Sequence, residues 1–292
     1  MSIRRTNHEP SDTRSLNDLC VGGAMEATLR NAGLDSLDAL FAAAGQNLGK
    51  PGLEPWRQRI RLTLSVGGAD KTFYLKRFTR PPPSARREVR RSGTGARSVA
   101  GMEWSWMRQL ASDGIPCVEP VAFGEQLRGG REVRSAILSR AVPGRSLESL
   151  STEWGIDDRG AFGPLIVPLA ELVARLHAGG YIHRDLYLSH VFHDPEAPPE
   201  RSLCLIDLQR VLRPSVRHRR WIVKDLAALN HSAPARLIRN VDRVRWLKHY
   251  VQASKTGIPL RSLLYLIVGK TQSIDRHATR RRRRPAMKGA AA

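Results

Sequence analysis

The pattern of apolar and polar positions changes twice along the chain. Residues 1 to 14 are polar, and residues 15 to 44 read as short helices, with Leu37, Leu40 and Phe41 at helical spacing. From about residue 56 to residue 78 the period shortens to two. Ile60, Leu62 and Leu64 alternate with Arg61, Thr63 and Ser65, which predicts a strand. Gly67-Gly68-Ala69-Asp70 predicts a hairpin turn, and residues 72–78 the returning strand. Pro81-Pro82-Pro83 ends that strand, and a basic loop is expected through Arg86, Arg87, Arg90 and Arg91. A helix is predicted from near Arg97 to just before Gly114-Ile115-Pro116, followed by strands at 121–123 and 133–138. After Pro143-Gly144 the texture becomes helical. Leu165, Leu169, Leu172, Val173 and Leu176 form a stripe closed by Gly179-Gly180, and further helices are predicted at about 219–230, 240–253 and 259–269. Short apolar runs at Tyr181-Ile182 and 203–206 suggest strand ends, and the arginine run Arg280 to Arg284 is expected to be disordered.

The chain of 292 residues is long enough for one large domain or two small ones, and 41% apolar residues place it among globular proteins. There are 48 Lys plus Arg against 27 Asp plus Glu, a formal charge of +21. Such a field attracts nucleotides, nucleic acid or a phosphate-rich surface. Cys20, Cys117 and Cys204 are scattered, so neither a disulfide scaffold nor a zinc-thiolate site is expected, and a reducing compartment fits. The most apolar stretch, residues 165–176, is broken by Pro168, Glu171 and Arg175 and falls short of the roughly 20 residues of a membrane span. Arg4-Arg5 is followed by a polar segment, so no secretion signal is expected. The expected location is cytoplasmic with access to a membrane face.

Strand alternation puts Lys76 on one face with Tyr74 and Phe78, where a lysine calls for an anion; an edge lysine that blocks aggregation is the alternative. Val99, Glu103, Trp106 and Leu110 share a helix stripe, so Glu103 is expected to face inward and to need a cation, with Lys76 the candidate. At the stripe's edge Glu103 would instead face water. The string Tyr181-Ile182-His183-Arg184-Asp185-Leu186-Tyr187-Leu188-Ser189-His190 is followed by the apolar run Leu203-Cys204-Leu205-Ile206 ending on Asp207. Two carboxylates at strand ends suit phosphoryl transfer: one orients the attacking hydroxyl, the other holds a divalent ion against the phosphates.

These residues carry a resemblance to the protein-kinase-like superfamily, and within it to the lipopolysaccharide core kinases of the Kdo/WaaP family. It rests on Tyr74-Leu75-Lys76-Arg77, Glu103, Gly114-Ile115-Pro116 with Pro120-Val121-Ala122-Phe123-Gly124-Glu125, the string from His183 to His190, Ile206-Asp207-Leu208-Gln209-Arg210 and Lys224-Asp225-Leu226, and spans roughly residues 30 to 270. The resemblance implies an α+β, bilobal protein-kinase-like fold: an N-terminal extension over 1–30, a small β-rich N-lobe over 31–143, a larger mainly helical C-lobe over 144–270 and a basic disordered tail over 271–292. A crevice at the Pro143-Gly144 joint would take the ligand. It also implies roles. Lys76 pairs with Glu103 and with the α and β phosphates of ATP, Asp185 receives or orients the proton of a sugar hydroxyl, and Asp207 binds Mg²⁺. His183 and Asp225 support the catalytic loop.

The chain also departs from the superfamily pattern. His190 stands where protein kinases carry Asn, a metal ligand, but Mg²⁺ prefers oxygen, so His190 is expected at the phosphate or in a water-mediated role instead of directly on the ion. Asp207-Leu208-Gln209 replaces DFG, and only 17 residues separate Asp207 from Asp225. No G-x-G-x-x-G occurs; Gly45, Gly49 and Gly52 with Lys50 are the best candidates for a phosphate-covering, ATP-binding loop. A zinc site at His193 lacks a third ligand. The expected activity is ATP-dependent phosphorylation of a heptose or Kdo hydroxyl of the lipopolysaccharide inner core, at the inner face of the inner membrane. The glycolipid and an anionic membrane surface are the partners; nucleic acid is not, since no stacking motif accompanies the charge. The alternatives are a protein or small-molecule kinase on the same fold, or a degenerate kinase-like module gripping membrane or nucleic acid.

Overall fold

The computed structural model describes residues 13–16, 18–49, 54–154, 160–254 and 256–283. Lys50 and Gly52 of the expected phosphate-covering loop lie outside the described residues. The elements run β1 (Thr13–Leu16), β2 (Leu19–Gly22), α1 (Glu26–Asn31), α2 (Leu37–Ala42), β3 (Gln46–Asn47), β4 (Arg57–Val66), β5 (Ala69–Thr79), α3 (Pro83–Arg91), α4 (Val99–Ser112), β6 (Pro120–Arg128) and β7 (Arg131–Arg140). There follow β8 (Arg145–Ser146), α5 (Leu147–Glu153), α6 (Ile166–Ala178), β9 (Val191–His193), β10 (Leu203–Leu205), α7 (His218–Ser232), α8 (Asn240–Ser254) and α9 (Leu260–Arg283). They fall into two compact units, one drawn from Met1–Gln109 and Val118–Val142, the other from Leu110–Cys117 and Pro143–Ala292.

The first unit is built on an antiparallel sheet in the order β1-β2-β6-β7-β5-β4-β3. Its spine is the β4–β5 hairpin, paired without a break from Arg57 opposite Phe78 to Val66 opposite Ala69. The turn needs two consecutive residues at positive φ, and Gly67 (59°) and Gly68 (81°) supply them without the clash a Cβ would bring. Ile60, Leu62, Phe73 and Leu75 then share the buried face with Leu16, Leu19, Val21, Leu37 and Leu40. Residues 13–16 and 19–22 therefore form strands, not the first of the expected helices: the alternation of Leu19 and Val21 is used to pair β2 with β6. Residues 83–91 form a helix, not the expected loop. Pro83 opens it at a position where its missing N–H costs nothing, and Val89 is the buried contact that anchors the arginines.

α4 is held at its start by β7. The backbone N–H of Val99 donates to Glu132 Oε2 (3.0 Å), that of Ala100 to Ser135 Oγ (3.3 Å), and Ser135 Oγ donates to Glu132 Oε1 (2.5 Å). The carboxylate satisfies the Val99 N–H and the Ser135 hydroxyl that of Ala100, groups that no earlier helical turn can reach, and the carboxylate meets the positive end of the helix dipole. Burial nevertheless pushes the Glu132 carboxyl up to about 7, the two hydrogen bonds opposing that rise.

In the second unit α6 packs on α8 and α7 on α9. A small antiparallel sheet, β10-β9-β8, lies beside them. Gly144 explains the break before β8: its φ is +75°, and a Cβ would come within 2.0 Å of the His193 carbonyl oxygen. α9 continues to Arg283, well into the segment expected to be disordered from 271 onward. The polar side chains there are tied to α7, Asn230 Nδ2 donating to Thr271 Oγ1 (3.0 Å) and His231 Nδ1 lying 2.6 Å from Asp275 Oδ1. No helix among the described residues is long and apolar enough to cross a membrane.

The Glu132 cap has a signed pH dependence. Its carboxyl has a folded-state value, about 7, above its ordinary 4.5, so the stability it contributes is complete below 4.5 and is lost as pH rises through 7. Glu132→Gln cannot ionise. Measured by urea unfolding, it should gain on the wild type by on the order of 2–3 kcal/mol between those two pH values; a difference that stays flat with pH would refute this.

Candidate active site

Lys76 sits mid-strand in β5 and Glu103 one turn into α4, and the two meet: Lys76 Nζ lies 2.6 Å from Glu103 Oε1. Glu103 is fully buried, while the lysine keeps a small opening to solvent. Strand period and helix stripe both carry through, so a charge removed from water is paired with its opposite at hydrogen-bonding distance. Opposite Lys76 across the ladder stands Arg59 of β4. β3 and β4, which flank the expected phosphate-covering loop, are antiparallel neighbours, with Gln46 opposite Arg61 and Asn47 opposite Ile60. Gly45 is fixed there by packing, since a Cβ would come within 2.6 Å of the Arg61 carbonyl oxygen.

The second group of site residues hangs on one carboxylate in the helical unit. Asp225, fully buried on α7, accepts from the backbone N–H of His183 at Oδ2 (2.7 Å) and from that of Arg184 at Oδ1 (2.8 Å). Arg184 adopts a left-handed conformation, φ 70°, which turns both amides toward that single acceptor. His177 on α6 lies behind, its Nε2 3.4 Å from Asp225 Oδ2 and its Nδ1 2.7 Å from the Tyr250 hydroxyl of α8. The expected support of the loop by Asp225 is thus an array reaching three helices. The sequence reading missed His177 and Tyr250, although His177 extends the Leu169 and Val173 stripe by one more helical step.

His183 is buried, with Nε2 3.0 Å from the Ile206 carbonyl oxygen. Burial above all, with a smaller push from His190, holds its imidazole below the usual range. It ties the segment before Asp185 to the segment before Asp207. Asp185 is held by its own backbone: its carbonyl accepts from the Tyr187 N–H (2.9 Å) and from His190 Nδ1 (2.7 Å). A carbonyl can only accept, so the proton of His190 sits on Nδ1 and Nε2 faces Asp207 Oδ2 at 3.8 Å. Asp207 has φ 58° and ψ 57°, a left-handed conformation that Asp tolerates better than most residues. The Asp185 carboxylate is not bare: Arg210 Nη1 lies 2.6 Å from its Oδ1. The sequence places Arg210 only at the end of the Ile206–Arg210 motif and gives no sign of this contact.

Asp207 offers one carboxylate, and no group of three or more His, Cys, Asp or Glu side chains suited to a metal occurs among the described residues. This fits an ion such as Mg²⁺, which takes one or two protein carboxylates and completes its shell with water and substrate phosphate. His193 lies in β9 with Nδ1 3.2 Å from the Ser202 carbonyl oxygen, a structural position. Burial pushes the thiols of Cys117 and Cys204 up to about 12, which leaves them chemically quiet. The helical unit also contains a cavity of about 670 Å³ among α6, α7, α8 and α9, lined mostly by apolar side chains; neither Asp185 nor Asp207 lines it.

Residues 63–250 match the model of the lipopolysaccharide kinase (Kdo/WaaP) family. Among curated relatives, the lipopolysaccharide core heptose(I) kinase WaaP of Pseudomonas aeruginosa is 31% identical over 187 residues, which cover 61% of this chain and 67% of that protein. The protein of the same name from Escherichia coli K12 is 31% identical over 173 residues, 57% of this chain and 63% of that one. A solved structure described as WaaP in complex with acyl carrier protein superposes with a TM-score of 0.62 at 25% identity, covering 90% of this chain and 98% of that one.

Asp225→Ala leaves the buried amides of His183 and Arg184 without an acceptor. Each such loss costs about 1–3 kcal/mol, so a fall of several kcal/mol in unfolding free energy is expected, with phosphotransfer lost in parallel. Calorimetry and an activity assay on the same preparation check this; a variant as stable as the parent would contradict it.

Proposed function

The chain belongs to the lipopolysaccharide kinase (Kdo/WaaP) family, and from that premise we propose that it transfers the γ-phosphoryl group of ATP to a sugar hydroxyl of the lipopolysaccharide inner core. The observation that carries this reading is the loop built on Asp225, which fixes Asp185 beside Asp207 through His183 and His190. The acceptor oxygen attacks the γ phosphorus, the new O–P bond forms as the bond to the β,γ-bridging oxygen breaks, and ADP departs. Asp185 takes the hydroxyl proton. Lys76, steadied by Glu103, holds the α and β phosphates. Asp207 would hold Mg²⁺, which supplies neutralisation of the phosphate charge when bound. His190 orients Asp185 through its backbone and leaves a ring nitrogen toward Asp207. Because the transition state is loose, positioning and charge supply most of the rate. The short stretch from Asp207 to Asp225 and the absence of DFG favour this over a regulated protein kinase.

The acceptor is a membrane glycolipid, and the proposed place of work is an anionic bilayer surface. Support comes from the charge of +21 and from α9, where Tyr265, 81% exposed, shares an outward stripe with Arg261, Val268 and Arg276. An aromatic and an aliphatic side chain flanked by cations suit the boundary between headgroups and acyl chains.

Two experiments bear on these statements. Asp185→Asn and Asp207→Asn should each lower phosphorylation of core glycolipid by about 10²–10⁴-fold with an unchanged unfolding profile, Asn tolerating the left-handed backbone at 207 as Asp does; mass spectrometry of core oligosaccharide from cells carrying each form gives the in vivo readout, and a fully active variant removes that residue's role. For the membrane face, the double variant Tyr265→Asp, Val268→Asp should float several-fold less with phosphatidylglycerol vesicles than the parent protein does. Equal flotation would move the contact elsewhere.

A further inference from the structure

The ion pair between Arg210 and Asp185 is unusual for a residue that must accept a proton, and the local fold makes it deliberate. After Asp207 the chain makes a single 3-10 turn, Leu208–Arg210, and then returns to pair with the segment before the catalytic loop: Ile182 and Leu212 exchange both backbone hydrogen bonds, at 2.9 and 3.0 Å. That bridge lays residues 183–185 alongside residues 207–211 and brings Arg210 opposite Asp185. Gln209 and Leu208 are buried beneath it, so the turn has little freedom to carry the guanidinium elsewhere. Arg210 reaches Asp185 Oδ1 through one nitrogen, Nη1. The described residues offer no hydrogen bond to Oδ2, which is left for the hydroxyl proton. The arginine side chain is 48% exposed and the carboxylate 20%.

An exposed pair of this kind is worth about 0–1 kcal/mol, too little to explain it as a staple of the fold. A guanidinium, however, has five N–H donors in a rigid fork, and one contact to Asp185 leaves the others for a second anion. That anion would lie within a few ångströms of Oδ2, where the attacking hydroxyl must be. We propose that Arg210 is the acceptor-reading residue of this site: it fixes Asp185 with one N–H while its outward N–H groups hold an anionic substituent, a carboxylate or a phosphate, on the sugar region next to the reacting hydroxyl. Inner-core sugars of the Kdo class are acids, so such a substituent is chemically at hand. Holding it and the proton acceptor with one planar group converts binding of the charged substituent into alignment of the neighbouring hydroxyl. An acceptor without the charge would enter the site but lose that register. This inference rests on the role of Asp185 proposed above and adds the chemistry by which the acceptor is chosen.

The test compares three glycolipid probes, core glycolipid with free acidic groups, the same material with its Kdo carboxylates methyl-esterified and the same material dephosphorylated, on the parent protein, Arg210→Gln and Arg210→Lys. The parent should prefer the free acid by on the order of tenfold in kcat/KM. Arg210→Gln should abolish that preference by raising KM for the free acid, with KM for ATP changed less than twofold, and Arg210→Lys should restore part of it. If Arg210→Gln turns over too slowly to assay, affinities of the two glycolipids in detergent micelles, by calorimetry, give the same comparison. Preserved discrimination in Arg210→Gln overturns the proposal. A rise in KM for ATP alone also does so, by assigning the guanidinium to the γ phosphate. In the parent, a fall in kcat/KM on esterification but not on dephosphorylation of the glycolipid identifies the substituent as a carboxylate; the converse identifies a phosphate. Should Asp185→Asn prove active, the base assignment fails, while the binding comparison still reports on Arg210.

Discussion

A carboxylate with no access to water fixes the chemistry of this molecule. Asp225 takes two consecutive backbone N–H groups, those of His183 and Arg184, on its two oxygens. Buried amides must find acceptors, and a buried carboxylate must find donors, so each need answers the other. The cost is a left-handed Arg184, a strain the surrounding hydrogen bonds over-determine. With the loop held there, the orientation of Asp185 follows from its own carbonyl, shared by Tyr187 and His190, and His183 carries the constraint across to Ile206 and so to Asp207.

Much of this was legible in the chain because the relevant signals are local. Lys76 and Glu103 were each placed by a period, two in the strand and 3.6 in the helix, and each lone charge on an apolar face demanded its opposite. The β4–β5 hairpin was announced by two adjacent glycines. The chain break read at Pro143-Gly144 corresponds to one glycine pressed against the His193 carbonyl. Kinase-like order of motifs then joined these pieces into a fold that the superposition with a WaaP structure supports.

What was not legible depends on partners distant in sequence. Residues 13–22 carry too few apolar positions to announce a strand; β6 makes β2 one. The stretch after Pro81 read as a loop because three prolines and four arginines outweighed a single apolar contact, Val89, yet proline is at home at the start of a helix. The segment from 271 onward read as disordered by composition, while contacts of Thr271 and Asp275 with Asn230 and His231 tie its start to α7. Arg210 was visible as charge but not as a partner of Asp185, since the pairing follows from a bridge thirty positions wide in the chain.

That bridge between Ile182 and Leu212 has a consequence for evolution and engineering. It is the clasp of a purse: His183, Asp185, His190 and Asp207 all lie in the pouch it closes, while Asp225 on α7 and His177 on α6 hold it from behind. The floor of the pouch is a proline- and glutamate-bearing turn between β9 and β10, exposed and free of assigned roles. Grafted peptides or reporter loops belong at that turn, where added length changes closure entropy only slowly. The same insertion a few residues beyond Asp207 would shift the register of the clasp and scatter the contents.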